Sequence, residues 1–279
     1  MKKSLFATIL IAILALSLVL AGCASNSQQT AQEPTARSTI ETVLAKKELV
    51  VGTAPGYFPF EMTDKQGNII GFDIDVAQKI ADTLGVKLKI ERFAFDGLIP
   101  ALQTGKIDMI IAGMTVSGTR ALSVSFSNPY YVTGQVLMVT KSNPGITSWK
   151  ELDVKGKSVG VSIGTTGALL AKELFKNAEI KEYDTLPDAA LAATTGKVDG
   201  VVYDEPGIRV CVAQQPDSLY GVWELMSDEN LGIAVKKDDF STIQWLNSFL
   251  LSYVDGAEYK AAVAKWFDNM DWLGDVTSD

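Results

Sequence analysis

Two segments of the chain have residue types that could bind a negatively charged group. Arg120 is one of only four arginines among 25 basic residues, and its planar guanidinium can hold a carboxylate through two parallel hydrogen bonds. A solvated surface arginine is the alternative. Residues 162–167 (Ser-Ile-Gly-Thr-Thr-Gly) join a predicted strand to a predicted helix, so their backbone N–H groups can receive an anion. A phosphate-binding loop is the rival interpretation, but residues 162–167 lack the Gly-Lys-Ser/Thr that such a loop contains.

The residue types that are missing exclude several kinds of chemistry. The chain has no histidine, so it lacks the commonest metal ligand and the base of Ser-His and Cys-His nucleophile pairs. Catalysis would have to use carboxylates, Lys or Tyr. The formal net charge is −8, with no long basic run in the mature part, which argues against nucleic acid as a partner. We expect no metal and no cofactor.

A repeated segment positions two further candidate sites. Thr-Gly-Lys-Ile-Asp-Met-Ile-Ile at residues 104–111 returns as Thr-Gly-Lys-Val-Asp-Gly-Val-Val at residues 195–202. Each copy follows an Ala/Leu-rich helical run and leads into an apolar strand. The spacing is too long for a solenoid and indicates two similar α/β lobes, although a common turn could occur twice by chance. Ligands bind beyond the carboxyl ends of such strands, so Gly113 and Asp204 should face each other across a cleft.

The N-terminal residues predict export. Lys2 and Lys3 precede an apolar stretch that is short for a membrane-spanning helix. Leu20-Ala21-Gly22-Cys23 resembles the lipobox of bacterial lipoproteins, which implies a signal peptide over residues 1–22 and a lipid on the Cys23 thiol. An ordinary signal peptide or an uncleaved anchor is the alternative. Residues 23–38 are mostly polar and should form a flexible, lipid-anchored tether. The other cysteine, Cys211, then has no intrachain disulfide partner.

Apolar periodicity predicts alternating strands and helices along the rest of the chain. This alternation favours mostly parallel sheets with helical crossovers, an α/β fold. Strands are predicted at residues 49–51, 86–90, 107–112, 135–139, 158–161, 198–203 and 232–235, and helices at residues 73–84, 98–103, 167–175, 188–194, 241–254 and 257–267.

Several motifs occur in the order found in one known family. They are residues 51–61 (Val-Gly-Thr-Ala-Pro-Gly-Tyr-Phe-Pro-Phe-Glu), 71–75 (Gly-Phe-Asp-Ile-Asp), 95–102 (Phe-Asp-Gly-Leu-Ile-Pro-Ala-Leu), 113–117 (Gly-Met-Thr-Val-Ser) with Arg120, and 126–131 (Phe-Ser-Asn-Pro-Tyr-Tyr). Together they resemble the extracellular solute-binding proteins of polar amino acid ABC importers, the glutamine-, histidine- and lysine/arginine/ornithine-binding proteins. The resemblance covers residues 40–270.

The resemblance implies a two-lobed periplasmic-binding-protein fold, in which each lobe is a doubly wound, mostly parallel sheet. The implied first lobe comprises residues 39–129 and 232–272, and the second comprises residues 134–227. Two hinge segments, residues 130–134 and 227–231, would join the lobes.

The resemblance also assigns roles to individual residues in an amino acid site. Arg120, the Thr115 N–H and Thr166 would bind the ligand carboxylate, while the Gly113 carbonyl, the Thr115 hydroxyl and Asp204 would bind its ammonium. Tyr57 and Phe95 would stack on the ligand side chain, and Ser162 and Tyr203 are further expected contacts. A lone Asp after a strand is otherwise commonly a turn former, and buried aromatic residues are commonly core.

Two departures from the family pattern bear on this site. Gly118-Thr119 stands where an acidic residue commonly precedes the arginine, and Ala54 stands where relatives that take basic or glutamine side chains often have Asp. A cationic side chain would then be desolvated without an assured partner. This favours a neutral, glutamine-like ligand, unless Asp96 points into the pocket rather than capping its own turn.

The implied function is a monomeric, extracytoplasmic, lipid-anchored receptor. It would close on a free L-amino acid and deliver that amino acid to a membrane permease, without being an enzyme. Two alternatives stay open on the same fold. One is a cyclohexadienyl or arogenate dehydratase with a pocket carboxylate as general acid. The other is a ligand-sensing domain.

Overall fold

The computed structural model describes residues 37–277, and residues 38–277 form one compact unit. The strands are β1 (Glu48–Thr53), β2 (Met62–Thr63), β3 (Ile69–Ile70), β4 (Lys87–Arg92), β5 (Met109–Ile110), β6 (Val124–Thr133), β7 (Gln135–Thr140), β8 (Ser158–Ser162), β9 (Glu179–Tyr183), β10 (Gly200–Asp204), β11 (Leu219–Val222) and β12 (Glu229–Lys236). The helices are α1 (Thr39–Lys46), α2 (Phe72–Leu84), α3 (Leu98–Gln103), α4 (Gly118–Ala121), α5 (Trp149–Leu152), α6 (Thr166–Leu174), α7 (Leu186–Thr194), α8 (Glu205–Gln214), α9 (Phe240–Tyr253) and α10 (Ala257–Val263).

Two five-stranded sheets organise the fold. The first has the order β4-β1-β5-β12-β6 and the second β11-β7-β10-β8-β9. In each, three neighbouring strands are parallel, β4-β1-β5 in the first and β10-β8-β9 in the second, and antiparallel strands complete the sheet. We call the parts built on these sheets the first and second lobes. The architecture is the two-lobed α/β fold that the sequence predicts.

The repeated segment forms the same local structure in both lobes. Helices α3 and α7 are each followed by a glycine in the left-handed region, Gly105 with φ 74° and Gly196 with φ 73°. Left-handed backbone favours glycine because it has no Cβ. Each glycine leads into a central strand, β5 or β10, whose carboxyl end points towards the same cleft.

Two long antiparallel strands run between the lobes. β6 and β12 pair over most of their length, with Glu229 opposite Thr133 and Leu231 opposite Tyr131. Gly134 separates β6 of the first sheet from β7 of the second. A Cβ on Gly134 would lie 2.3 Å from the Ser227 carbonyl oxygen, so the two connections pass each other too closely for a larger residue.

The last helices pack on the first lobe, as the sequence suggests. α9 contacts α1 and β6, and the indole of Trp266 donates to Asp75 on α2 over 2.7 Å. The predicted helix over residues 257–267 is α-helical only to Val263, and a wider π-helical turn over Ala264–Asp268 follows it. This turn carries the Trp266 side chain that reaches Asp75.

Several elements differ from the predictions. β5 comprises two residues rather than the predicted 107–112. Before the strand, the Asp108 side chain accepts a hydrogen bond from the Val50 N–H over 2.7 Å. After it, Gly113 turns the backbone with φ 53°. Ser38, predicted as the end of the tether, is the N-cap of α1 and forms a capping box with Glu41. Seven strands and α-helices of four or more residues were not predicted from the sequence: α1, α4, α5, β6, β9, α8 and β11.

The signal peptide, Cys23 and almost all of the tether lie outside the described residues. Within residues 37–277, no helix combines the length and apolarity needed to span a membrane. The thiol of Cys211 is free and buried in this part of the chain.

Candidate functional site

A small cavity lies where the two lobes meet. Its free volume is only about 10 Å³, the room that one water molecule needs, so the lining side chains of the two lobes lie close together. The carboxyl ends of β5 and β10 and the N-terminus of α6 border it. The lining residues are Tyr57, Phe95, Gly113, Thr115 and Arg120 from the first lobe and Gln135, Thr165, Thr166, Tyr203 and Asp204 from the second.

Three polar contacts join the lobes at this cavity. The Tyr57 hydroxyl donates to the Asp204 carboxylate, and the Arg120 Nη2 donates to the Gly164 carbonyl over 3.1 Å. The hydroxyls of Thr115 and Thr166 lie 3.3 Å apart. Each contact joins a residue of the first lobe to a residue of the second, so the relative position of the lobes determines whether these contacts exist.

Asp204 is a buried acid at the end of β10, only 5% exposed. Besides the Tyr57 hydroxyl, it accepts a hydrogen bond of 2.6 Å from Gln135 Nε2. Burial raises the pKa of Asp204 to about 7, and the hydrogen bond from Tyr57 opposes this rise. Glu229 raises this pKa further and Arg120 lowers it. A cation placed beside Asp204 would favour its ionised form.

Arg120 presents a cation to the same cavity. Its Nη1 donates to the Thr115 carbonyl over 2.8 Å, and its guanidinium carbon lies 5.2 Å from the centre of the Phe95 ring. Burial lowers the pKa of Arg120, while the nearby carboxylates of Glu229 and Asp204 raise it. The partners of the guanidinium among residues 37–277 are thus neutral carbonyls, which leaves it able to bind an anion.

The Gly113 loop is held from behind by a buried acid. The Gly113 N–H donates to Asp73 Oδ2 over 2.6 Å, and the Tyr130 hydroxyl donates to both Asp73 oxygens over 2.8 Å. Burial raises the pKa of Asp73 to about 6. Glu61 is also fully buried, and burial followed by the charge of Asp73 raises its pKa well above the usual range. These contacts fix the Gly113 carbonyl at the cavity wall.

A chain of hydrogen bonds connects Asp204 of the second lobe to Glu229, the first residue of β12. Gln135 Nε2 bonds Asp204 and also approaches the Thr166 hydroxyl at 3.4 Å. Thr166 in turn donates to Glu229 Oε2 over 3.0 Å, and Ser227 donates to Glu229 Oε1 over 2.7 Å. Glu229 is only 4% exposed. The network thus contains a second buried carboxylate.

The structure brings together eight of the nine ligand-binding residues predicted from the sequence. They are Arg120, Asp204, Thr115, Gly113, Thr166, Tyr57, Phe95 and Tyr203. It does not bring Ser162 to the cavity, because the Ser162 hydroxyl donates to the Asp184 carbonyl over 3.1 Å. The interlobe positions of Gly113 and Asp204 agree with the prediction from the repeat.

Gln135, Thr165 and Glu229 were not predicted as site residues. Gln135 opens β7 directly after Gly134, and Glu229 opens β12. A polar residue at the first position of an apolar strand is the signal that could have marked both. The Thr165 hydroxyl caps α6 through the Ala168 N–H (3.1 Å).

Asp96 lies at the rim of the site and does not cap its turn. The short 3₁₀ turn over Phe95–Gly97 has no side-chain cap. The Asp96 side chain is exposed, and its Cβ would lie 3.1 Å from a Cβ built on Gly164 of the other lobe. Ala54 packs against the apolar cluster below the rim. A negative charge therefore stands at the interlobe rim near Phe95.

The residues around the cavity offer binding partners for a molecule that carries both charges. Arg120 and the N-terminus of α6 suit an anion, whereas Asp204 and the Gly113 carbonyl suit a cation with N–H donors. Aromatic rings of Tyr57, Phe95 and Tyr203 supply the apolar walls. No group of histidine, cysteine or acidic side chains within residues 37–277 could hold a metal ion.

Comparisons with known proteins place this geometry in a wider group. Residues 49–269 match the family described as bacterial extracellular solute-binding proteins, family 3. A probable histidine-binding protein of Campylobacter jejuni is 34% identical over 211 residues, which cover 76% of this chain and 80% of that protein.

Two solved structures share the fold. A putative ABC transporter binding component of Wolinella succinogenes, complexed with lysine, has a TM-score of 0.79 and 42% identity, covering 82% of this chain and 99% of its own. An ancestral amino acid-binding protein, a precursor of cyclohexadienyl dehydratase, has a TM-score of 0.77 and 35% identity. The match covers 82% of this chain and 100% of that protein. These relatives are binding proteins, in agreement with the expectation that this chain is not an enzyme.

Proposed function

The chain belongs to family 3 of the bacterial extracellular solute-binding proteins, and from this premise we propose that its interlobe cavity binds one free L-amino acid by both its carboxylate and its ammonium. The chain is the amino-acid-binding component of an ABC importer and acts outside the cytoplasm. The proposal concerns which residues bind the ligand and which ligand they select.

The observation that carries the proposal is the placement of Arg120 and Asp204 in one small cavity. Arg120 bonds only backbone carbonyls there, and Asp204 bonds a hydroxyl and an amide. Each charge therefore keeps the capacity to bind an opposite charge. The carboxylate of an amino acid would bind Arg120, the Thr115 N–H and Thr166. Its ammonium would bind Asp204, the Gly113 carbonyl and the Thr115 hydroxyl.

Binding is proposed to shift the protein towards a closed arrangement of the lobes. Arg120 belongs to the first lobe and Asp204 to the second, so a molecule that contacts both stabilises only the arrangement in which they face each other. The lobes would rotate about residues 130–134 and 227–231. A permease in the membrane would then receive the amino acid.

The direct test is calorimetric titration of the purified protein with the common L-amino acids and L-cystine. We expect at least one to bind with micromolar or tighter affinity, and the matching α-carboxamide and N-acetyl derivatives to bind at least tenfold more weakly. Equal affinity for an amino acid and both derivatives would contradict binding through both the carboxylate and the ammonium.

For the ligand side chain we propose first a neutral, glutamine-like group. Ala54 supplies no acid at the rim, and the nearby walls are the rings of Tyr57 and Phe95. A polar uncharged side chain can bind in such surroundings without the desolvation cost of a full charge.

A cationic side chain is the second candidate, and a specific observation favours it. Asp96 carries an exposed carboxylate at the rim, and Glu229 and Asp204 add two buried carboxylates against the single charge of Arg120. The relative from Wolinella succinogenes is complexed with lysine. Competition among L-glutamine, L-arginine and L-lysine separates the two candidates.

We also propose that the protein is anchored through a lipid on Cys23. The proposal is supported by the lipobox-like Leu20-Ala21-Gly22-Cys23. Cys23→Ser should move the protein from the membrane fraction to the soluble extracytoplasmic fraction, and mass spectrometry of the mature N-terminus should lose its diacylglycerol mass. An unmodified Cys23 would contradict the anchor.

A further inference from the structure

The hydrogen bonds around Thr166 determine where its single proton goes. Gln135 Nε2 can only donate, and it lies 3.4 Å from the Thr166 oxygen. On its other side, the same Thr166 oxygen donates to Glu229 Oε2 over 3.0 Å. The Thr166 hydroxyl therefore accepts from Gln135 and donates to Glu229.

This direction conflicts with the role proposed for Thr166. A hydroxyl has one O–H donor, so Thr166 cannot donate to a ligand carboxylate while it donates to Glu229. Among the nearby charges, Glu229 raises the pKa of Arg120 the most. Arg120 is the other residue proposed to bind the carboxylate. Both partners of the ligand carboxylate thus already interact with a carboxylate of the protein.

We infer that Glu229 is a built-in competitor for the ligand carboxylate, which must displace Glu229 from Thr166 in order to bind. The inference rests on the proposed function, because it assumes that the ligand carboxylate binds near Arg120 and Thr166. It adds a residue whose charge weakens binding rather than strengthening it.

The position of Glu229 connects this competition to the hinge. Its second oxygen accepts from Ser227, and the Gln135 N–H in turn donates to the Ser227 hydroxyl over 3.3 Å. The next residue, Asn230, accepts the Val116 N–H through its carbonyl over 2.8 Å. Displacing Glu229 therefore disturbs a strand that is bonded to the loop carrying Thr115.

The test is the affinity of Glu229→Gln for L-glutamine and L-arginine, measured by calorimetry at pH 7.5. The amide keeps the size of the side chain but removes its charge, and a neutral acceptor holds Thr166 less strongly than a carboxylate does. We expect about tenfold tighter binding, or about 1.4 kcal/mol. The matched control is Glu224→Gln, an exposed site in the second lobe with the same chemical change, which should alter affinity less than twofold.

A ligand without a carboxylate separates competition from a general charge effect. The α-carboxamides of L-glutamine and L-arginine should gain less than twofold from Glu229→Gln. Equal gains for acid and amide would overturn the competition. Unchanged or weaker binding of the amino acids to Glu229→Gln would overturn it as well. Neither result contradicts the proposed function as long as Arg120→Ala still weakens binding at least tenfold. If Arg120→Ala binds amino acids with wild-type affinity, the proposed binding of the ligand carboxylate by Arg120 is itself wrong.

A second variant checks that Thr166 transmits the effect. Thr166→Val removes the shared hydroxyl and should weaken amino acid binding in the wild-type background. In the Thr166→Val background, Glu229→Gln should give less than half of its usual gain in free energy, because the two residues then no longer compete. Full additivity of the two substitutions would overturn the inference.

Discussion

The Tyr57 hydroxyl of the first lobe donates a hydrogen bond to the Asp204 carboxylate of the second. This bond crosses the interlobe cavity and ends on the acid proposed to bind the ligand ammonium. It stabilises the ionised form of Asp204 against the effect of burial, which still raises the pKa of Asp204 to about 7. The protonation of one residue therefore depends on the contact between the lobes.

Affinity should fall as the pH drops below about 7. A bound ammonium favours ionised Asp204 and lowers its pKa, so binding releases a proton when Asp204 starts out protonated. With a pKa of about 7, about one Asp204 in ten is ionised at pH 6, and binding should be about tenfold weaker than at pH 8. Calorimetry between pH 5.5 and 8 measures this, and Asp204→Asn should bind weakly at every pH. A flat profile for the wild-type protein would contradict the role of Asp204.

Tyr57→Phe should shift that pH dependence upward. The variant keeps the ring, which lies 4.5 Å from Phe60 and 5.0 Å from Tyr203, but it loses the hydrogen bond that lowers the pKa of Asp204. Affinity at pH 7.5 should fall about two- to fivefold, and the midpoint of the pH profile should move above 7. The control is Tyr220→Phe, whose hydroxyl bonds Asn143 within the second lobe. An unshifted midpoint would argue against the coupling.

Arg120→Ala should weaken amino acid binding between about 30-fold and about 5,000-fold, because removing one partner of a desolvated charge pair costs about 2–5 kcal/mol. Arg120→Lys should restore little, since an ammonium cannot form two parallel hydrogen bonds with a carboxylate. Arg92→Ala, which removes an arginine bonded to Thr63, is the control. Thermal unfolding without amino acid should show that each variant is folded. If Arg120→Ala bound amino acids within threefold of the wild-type affinity, Arg120 would not be the partner of the ligand carboxylate.

Asp96→Asn should distinguish the two ligand candidates. If the ligand side chain is neutral, the variant binds L-glutamine within about twofold of wild type. L-glutamine should then also bind at least about tenfold, or about 1.4 kcal/mol, more tightly than L-arginine or L-lysine. A cationic ligand would instead lose at least about fivefold on Asp96→Asn. Asp217→Asn, an exposed site on the second lobe, controls for net charge.

Closure should be visible in solution scattering. An amino acid at about 100 times its Kd should add about 2.7 kcal/mol to the free energy of unfolding and reduce the radius of gyration. Gly134→Ala should impair this compaction, because its Cβ would lie 2.3 Å from the Ser227 carbonyl between the lobes. Gly274→Ala, which has open space around it, should close normally. The absence of compaction in the saturated wild-type protein would contradict hinge closure.

The sequence determined the fold class and identified most of the residues that line the interlobe cavity. The repeat over residues 104–111 and 195–202 marks two strand ends, and parallel strands carry their ligands at those ends. The repeat alone therefore predicts that Gly113 and Asp204 face each other. Helix α3 was predicted with its observed bounds, because its apolar spacing and the following Gly105 are local signals.

Only the tertiary structure revealed the partners of these residues. Gln135 and Glu229 reach the site because β7 and β12 both begin where the chain crosses between the lobes. A polar residue at the start of an apolar strand marks each position, but the sequence does not show that crossing. Ser162 was predicted at the site but does not line the cavity, because its hydroxyl donates to the Asp184 carbonyl of a neighbouring segment. The direction of a side chain depends on what packs around it, and that packing involves residues distant in sequence. The protonation of Asp204 likewise depends on its burial between two lobes.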